Sequence, residues 1–163
     1  MILAGTGHRP PALGLEYGRA SRELLYKFAL KELKKIENVE KLISGMATGW
    51  DQAIAHAAYS LGIPYIAAVP FRGQESKWPV DAQRYFRHLI EHAEVHTIVC
   101  PDEYSNQKYF IRDKWMVDNA DTIFALFSGS KGGTSLTVDY AIKQGKPIIN
   151  VWGAWNDTRM AAL

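Results

Sequence analysis

Short apolar segments alternate with segments of helical periodicity along nearly all of the 163 residues. The apolar segments are almost continuous, which is typical of strands buried on both faces, and parallel sheets are buried in that way. Their expected positions are residues 1–5, 41–44, 64–69, 95–100, 122–127 and 147–152. This alternation predicts a single doubly wound, mostly parallel sheet in a Rossmann-like, three-layer α/β domain.

The segments between these strands carry apolar residues three and four positions apart, the spacing of an amphipathic helix. The expected helices span about residues 16–36, 50–61, 80–92, 108–119 and 135–144. No linker, repeat or low-complexity segment divides the sequence. We therefore expect one domain over residues 1–155 and a short C-terminal tail over residues 156–163.

The net charge and the cysteine content limit which binding partners and which cellular compartment we expect. The net charge is only +2, which argues against nucleic acid and against a membrane surface as partners. The single cysteine, Cys100, excludes an intramolecular disulfide and fits a reducing compartment. No signal peptide is visible, and no stretch approaches the roughly 18 apolar residues of a membrane span. We expect a cytoplasmic protein, and homo-oligomerisation stays open.

Glycine and small polar residues concentrate after three of the predicted strands, at 5–7 (GTG), 44–49 (SGMATG) and 129–134 (GSKGGT). Glycine lets backbone N–H groups approach a ligand, and a helix that begins after such a loop offers free N–H groups and its positive dipole end. In open α/β sheets, ligands bind at the carboxyl ends of the strands. Neither a Walker A sequence nor Gly-x-Gly-x-x-Gly is present. The three loops together predict a phosphate or ribose site, although a tight turn explains each loop taken alone.

Polar and aromatic side chains in these segments suggest individual roles. Arg9 is suited to hold a phosphate as a fork, and His8 to donate a hydrogen bond or exchange a proton. Asp51 begins the second helix, where it either accepts from a ribose hydroxyl or stabilises the helix terminus. Phe71 and Trp78 follow the third strand and either stack on a base or pack under the loop.

Arg112 and Asp113, in the helix before the fifth strand, are candidates to face the site, and the alternative for Arg112 is a structural ion pair. One cysteine and five scattered histidines give no convincing zinc ligand set, so no metal is expected. The only cofactor that we expect is a bound nucleotide, the expected partner is a small nucleotide-like molecule, and no catalytic residue is assigned. The candidate ligand-binding residues are Gly5, Thr6, Gly7, His8, Arg9, Gly45, Met46, Ala47, Gly49, Asp51, Pro70, Phe71, Gln74, Trp78, Arg112, Ser128, Gly129, Gly132, Gly133 and Thr134.

Five segments, taken together and in order, resemble one known family. They are 6–10 (TGHRP), 44–51 (SGMATGWD), 70–78 (PFRGQESKW), 112–118 (RDKWMVD) and 132–147, where GGT precedes YA and GKP. The set resembles the YpsA-like family of the SLOG superfamily, which is named for its kinship to Smf/DprA and to the Lonely Guy enzymes. The resemblance covers about residues 1–152. It implies a Rossmann-like fold whose glycine loops bind nucleotides or nucleotide-derived signals.

The superfamily that this resemblance points to does not share one activity. It includes a cytokinin-activating phosphoribohydrolase, a recombination mediator that binds single-stranded DNA, and sensors of cyclic-nucleotide-like signals in phage defence. The fold implied by the resemblance therefore leaves the function open.

One position departs from the pattern of the related hydrolases. Lonely Guy-type hydrolases have a catalytic Glu three residues after the Thr of their glycine loop, and the related deoxyribosyltransferases have a Glu at a similar offset. Here that position is Thr137, and the nearest carboxylate is Asp139. The departure favours a nucleotide-binding sensor or regulatory module. The alternative is an enzyme that hydrolyses the N-glycosidic or phosphate bond of a nucleotide and recruits Asp51, Glu75, Asp113 or Asp139.

Overall fold

A sheet of six parallel strands forms the centre of the structure, a computed structural model that describes residues 1–100 and 106–161. The strands are β1 (Ile2–Gly7), β2 (Lys41–Ser44), β3 (Tyr65–Val69), β4 (Val95–Ile98), β5 (Thr122–Leu126) and β6 (Ile148–Asn150). Their order across the sheet is β4-β3-β2-β1-β5-β6, and all neighbouring pairs are parallel. The predicted Rossmann-like α/β fold is confirmed.

Six α-helices in the described residues connect and cover these strands. They are α1 (Arg19–Leu33), α2 (Trp50–Leu61), α3 (Val80–His92), α4 (Asn106–Asp118), α5 (Gly133–Lys143) and α6 (Trp152–Ala161). Crossovers between parallel strands are right-handed, so the direction of travel decides which face a helix covers. The chain travels outward from β1 to β4 through α1–α3, and in the opposite direction to β5 and β6 through α4 and α5. The two groups of helices therefore lie on opposite faces. None of these six helices is both long and apolar enough to cross a membrane.

Each face of the sheet has its own apolar core. On the face of α1–α3, the rings of Trp50 and Phe28 are buried with Phe124 of β5. Helix α6 joins this face, where Trp155 meets Phe28 edge-on with 5.2 Å between the ring centroids. The smaller core on the opposite face is covered by α4 and α5. Since both faces are covered, the strands read as continuous apolar runs in the sequence.

Several boundaries near the carboxyl edge of the sheet differ from the sequence expectation; residue 152, for example, predicted as the end of the last strand, is the start of α6. Residues 5–7 are the end of β1 and not a loop, because Thr6 and Gly7 continue the pairing with β5. Helix α5 begins at Gly133, two residues earlier than expected, because the Ser135 hydroxyl accepts the N–H of Gly132 and fixes the start of the helix there. Residues 156–161, expected as a tail, continue α6, which is anchored by the buried Trp155.

Candidate functional site

The order of the strands reverses between β1 and β5, and the site lies at this point. The chain leaves β1 toward β2 and leaves β5 toward β6, so the segments after these two strands diverge and open a crevice. His8 follows β1 and Ser128 follows β5. Nε2 of His8 accepts the backbone N–H of Ser128 at 3.0 Å and lies 2.9 Å from its hydroxyl oxygen. This pair joins the two diverging segments.

A cavity of about 390 Å³ lies at this crevice, and we call it the switch-point cavity. Its volume falls within the roughly 300–1,000 Å³ typical of small-ligand sites. The end of β1, the start of α2, helix α4 and the first turn of α5 contribute its walls. The lining residues are Gly5, Thr6, Gly7, His8, Arg9, Ala47, Asp51, Tyr109, Arg112, Asp113, Gly133 and Thr134.

The two glycines of β1 allow helix α2 to lie directly against the strand. A Cβ atom on Gly7 would come within 2.4 Å of Trp50 Cδ1, and one on Gly5 within 2.0 Å of Ile54 Cδ1. Trp50 is fixed in this position because its indole N–H donates to the carbonyl of Phe124 at 3.1 Å. Helix packing therefore requires Gly7, whose added Cβ would also lie 2.7 Å from Trp50 Cβ, whereas at Gly5 the contact is with the end of the flexible Ile54 side chain, which can move.

The first turn of α5 faces the switch-point cavity with its backbone. Gly132 donates its N–H to the Ser135 hydroxyl at 2.8 Å, and that hydroxyl donates to the Gly132 carbonyl at 2.7 Å, which fixes the turn. The first N–H groups of a helix have no acceptor within the helix, and Gly133 and Thr134 carry two of them. A Cβ atom on Gly133 would meet no described atom within 4 Å, so the space beside it is open. Such a terminus is suited to an anion.

Arg112 is buried in the cavity wall, with only 3% of its surface exposed. Its guanidinium donates to the carbonyl of Gly45, after β2, and to that of Ala68 in β3 at 3.2 Å. Its Nε donates to Asp113 Oδ1 at 2.6 Å. A Cβ atom on Gly45 would lie 2.7 Å from Arg112 Cζ, so glycine is needed for this approach. Arg112 thus combines the two roles considered from the sequence: it forms an ion pair and lines the cavity.

Asp51, in the first turn of α2, is a buried carboxyl group next to this cation. Burial raises the pKa of Asp51 to about 7; the charge of Arg112 opposes the increase, and that of Asp113 adds to it. Oδ2 of Asp51 accepts the N–H of Ala47 at 3.3 Å. A carboxyl group that titrates near neutral pH in a cavity wall is suited to exchange a proton or to accept from ligand hydroxyls.

Asp113, the second carboxylate of the cavity, is held at both of its oxygens. Oδ1 accepts from Arg112, and Oδ2 lies 3.1 Å from the hydroxyl of Thr137, which is buried in α5 and shares its one proton between this carboxylate and the Gly133 carbonyl at 3.0 Å. Thr137 therefore supports a carboxylate that comes from a different helix. Of the other carboxylates considered from the sequence, neither Glu75 nor Asp139 lines the cavity.

Burial lowers the pKa of His8, which favours the neutral imidazole. Since Nε2 accepts a backbone N–H, the ring proton lies on Nδ1. The rings of Phe127 and Trp152 lie beside the imidazole, at centroid distances of 5.8 Å and 5.9 Å. The ring therefore links the segments after β1 and β5 and supplies no positive charge for a phosphate.

The cavity brings together the predicted residues of β1 with Arg9, Ala47, Asp51, Arg112 and the start of α5. Pro70, Phe71 and Gln74 are buried away from it, and Gln74 donates its amide to the carbonyl of Gly45 at 3.3 Å. Gly49 and Trp78 line a second, separate cavity. The predicted residues outside the switch-point cavity are Gly45, Met46, Gly49, Pro70, Phe71, Gln74, Trp78, Ser128, Gly129 and Gly132.

Helix α4 contributes more to the cavity than the sequence indicates. Tyr109 and Asp113 line it, although neither is among the predicted ligand-binding residues. The Cζ atoms of Arg9 and Arg112 lie 5.7 Å and 5.9 Å from the centre of the Tyr109 ring. Helical spacing is the signal that identifies Tyr109 and Asp113, because residues 109, 112 and 113 are three and four positions apart and share one face.

Comparison with known proteins gives a consistent assignment. Residues 3–147 match the model of the family YpsA, described as the YspA SLOG family. The chain is 30% identical over 130 residues to the uncharacterized SPbeta prophage-derived protein YoqJ of Bacillus subtilis (strain 168), a match that covers 70% of this chain and 76% of YoqJ.

Two solved structures of DNA processing protein A (DprA) share the fold. The protein from Streptococcus pneumoniae is 18% identical, with a TM-score of 0.64, and the match covers 91% of this chain and 49% of that one. The protein from Helicobacter pylori, whose structure concerns its single-stranded DNA binding mode, is 17% identical, with a TM-score of 0.59 and coverages of 92% and 64%. The chain thus spans about half of the pneumococcal chain and under two thirds of the other.

The expectation that nucleic acid is excluded as a partner is wrong. It depended on the small net charge of +2, yet a protein with this fold, DprA from Helicobacter pylori, binds single-stranded DNA. A few cations in one groove suffice to follow a nucleic acid backbone, so the charge of the whole chain does not decide the question.

Proposed function

The chain belongs to the YpsA family of SLOG proteins, and from this premise we propose that the switch-point cavity binds a nucleotide or nucleotide-derived ligand through its phosphate. One observation carries the proposal: the first turn of α5 and Arg9 line a single cavity at the point where the strand order reverses. A helix N-terminus and a guanidinium both favour an anion.

The phosphate lies against the N–H groups of Gly133 and Thr134, and Arg9 adds a positive charge. Arg9 is exposed and makes no ion pair with any described residue, so it is available to a ligand. A charge-assisted hydrogen bond contributes roughly 1.5–3 kcal/mol. Arg9→Ala therefore weakens binding by about one to two powers of ten.

The walls beside the phosphate position have groups suited to the rest of a nucleotide. Asp51 and Asp113 line the cavity, and their carboxyl oxygens are suited to accept from ribose hydroxyls. Tyr109 adds an aromatic ring on which a base stacks, an interaction that tolerates any base. The ligand is thus held at its phosphate, sugar and base.

We assign the protein a role as a nucleotide sensor or regulator, and not as an enzyme that cleaves nucleotides rapidly. Cleavage of an N-glycosidic bond uses a free carboxylate to stabilise positive charge or to attack the sugar. Asp113 is already engaged by Arg112 and Thr137, and Asp51 retains its proton up to about pH 7. Neither provides such a carboxylate below neutral pH.

Nucleotide hydrolysis is the second candidate function, and Asp51 is the observation in its favour. A carboxyl group with a pKa of about 7 is matched to general acid–base catalysis at neutral pH. Measurement of the free base released from a panel of nucleoside 5′-monophosphates separates the two candidate functions, nucleotide sensing and nucleotide hydrolysis. We expect little or no release. Robust release that Asp51→Asn abolishes would establish the enzyme instead.

Calorimetric titration with nucleoside 5′-monophosphates tests the binding proposal. Gly133→Val places a side chain in open space beside the α5 terminus, where it fills the phosphate position without a clash inside the protein. We expect it to weaken binding by more than tenfold, as the loss of the phosphate contacts implies. Gly153→Val is the matched control, because Gly153 is exposed, has the same open surroundings and lies in α6. If Gly133→Val and Arg9→Ala stay folded and bind like the parent, the phosphate is bound elsewhere.

A further inference from the structure

A second cavity of about 480 Å³ lies beside the switch-point cavity, among the N-terminal turns of α1, α2 and α3. The backbone of residues 8–10 packs against that of Gly49 and Trp50, between the two cavities. Trp50 donates its N–H to the His8 carbonyl at 3.3 Å, and a Cβ atom on Gly49 would lie 2.7 Å from the same oxygen. Among the described residues, Arg9 alone lines both cavities.

The lining of the second cavity is mainly apolar and partly aromatic. Leu25 and Ala53 contribute aliphatic atoms, and Trp78 and Tyr85 contribute rings. Trp78 is held by Phe86, whose ring is perpendicular to it at a centroid distance of 5.5 Å. A fixed aromatic ring in an apolar cavity is the kind of surface on which a nucleobase stacks.

The charges around the second cavity favour an anionic ligand. Arg22 pairs with the carboxylate of Asp81, so these two charges offset each other. Lys77 and Arg9 also line the cavity, and neither forms a salt bridge with any residue in the described ranges. An apolar body with negative charge at its edge therefore fits this space better than a neutral apolar molecule.

The sizes of the two cavities indicate the length of the ligand. The switch-point cavity has the volume of a complete small-ligand site, and so has the second. A single nucleotide with its phosphate at α5 therefore leaves the second cavity unfilled. We propose that the ligand has two nucleotide units. The first has its 5′-phosphate at α5 and Arg9, the phosphate that joins the units also contacts Arg9, and the second base lies against Trp78. The inference rests on the proposed function and extends it by naming the length of the ligand.

Calorimetric titration with three probes tests the two-unit ligand: 5′-dAMP, the 5′-phosphorylated dinucleotide of deoxyadenosine, and an oligodeoxyadenylate of about ten nucleotides. We expect the dinucleotide to bind roughly tenfold or more tightly than 5′-dAMP, because it adds a stacked base and a phosphate contact. If the oligonucleotide binds more tightly than the dinucleotide, the two units come from a single strand. If the oligonucleotide binds no more tightly than the dinucleotide, the ligand is a free dinucleotide.

Two neighbouring positions of α1 provide a matched pair of variants. Ser21 is half-buried and lines the second cavity, whereas Ala20 is exposed and does not. Ser21→Trp fills the cavity, so we expect it to remove the advantage of the dinucleotide and leave the binding of 5′-dAMP unchanged. Ala20→Trp should change neither the advantage of the dinucleotide nor the binding of 5′-dAMP. If Ser21→Trp does not fold, Ala82→Trp fills the same cavity from α3.

The results separate this inference from the proposed function. If 5′-dAMP binds and the dinucleotide binds no more tightly, the two-unit ligand is wrong and the switch-point site stands. The inference also fails if a folded cavity-filling variant keeps the full advantage of the dinucleotide, or if it weakens both probes equally. If none of the three probes binds, both proposals are overturned.

Discussion

Asp51→Asn should stabilise the protein increasingly as the pH rises from about 4 to about 7. The Asp51 carboxyl group is buried, and its pKa is raised from 3.8 to about 7 because burial disfavours the charged form. The unfolded chain ionises this group near pH 4, whereas the folded protein keeps the proton up to about pH 7. The stability that the protonated form contributes is therefore complete below pH 4 and is lost as the pH rises through this window.

The magnitude follows from the difference between the two pKa values. One pKa unit corresponds to about 1.4 kcal/mol, so the parent loses about 4 kcal/mol over the whole window. The asparagine variant cannot ionise and does not undergo this loss. Urea unfolding at pH 4.5 and pH 7.5 measures the effect, and the difference in free energy of unfolding between variant and parent should grow by about 3 kcal/mol.

The urea unfolding experiment has a control variant and an outcome that would refute the burial argument for Asp51. Asp139→Asn, which replaces an exposed carboxylate of α5, is the matched control. If the Asp51→Asn variant instead becomes less stable than the parent as the pH rises, Asp51 is ionised and stabilised by Arg112. The burial argument would then be refuted.

Two further substitutions test how the site is built. Gly7→Ala should destabilise the protein by about 1–3 kcal/mol in a thermal unfolding assay, because the new methyl group meets Trp50. Gly153→Ala, in an open part of α6, is the control and should be neutral or stabilising in that assay. Unchanged stability of Gly7→Ala would contradict the close contact between α2 and β1. Thr137→Glu should lower the melting temperature more at pH 8 than at pH 5, because it puts a second carboxylate against Asp113. It should not produce base release, and a gain of that activity would show that Thr137 alone prevents catalysis.

The architecture follows from the sequence because each strand is buried on both faces. β5 is an example: all five of its residues, Thr122–Leu126, are buried, and the apolar run is visible without any structure. Parallel strands also bring their carboxyl ends to one edge, so the convergence of β1, α2 and α5 on one cavity is predictable from their order. The predicted residues of β1, Asp51, Arg112 and the start of α5 line one cavity, whereas Gly45 and Pro70, which directly follow β2 and β3, do not.

Long-range packing is what the sequence does not reveal. Arg112 reaches the carbonyl of Gly45, 67 positions away in the chain, and only the crossing of α4 over the sheet brings them together. The requirement for Gly7 comes from Trp50 of α2, another residue that is distant in the sequence. The second cavity is formed by three helix N-termini, and no single segment carries a signal for it.

Backbone amide NMR during titration with 5′-dAMP tests the central claim most directly. If the switch-point cavity holds the phosphate, the largest changes in chemical shift will occur at the N–H groups of Gly133 and Thr134, with smaller changes at Gly7 and Arg9 on the facing segment. Gly153, in the open part of α6, should not move. Saturable shifts confined to residues outside the switch-point cavity, with Gly133 and Thr134 unchanged, would contradict the proposed nucleotide site.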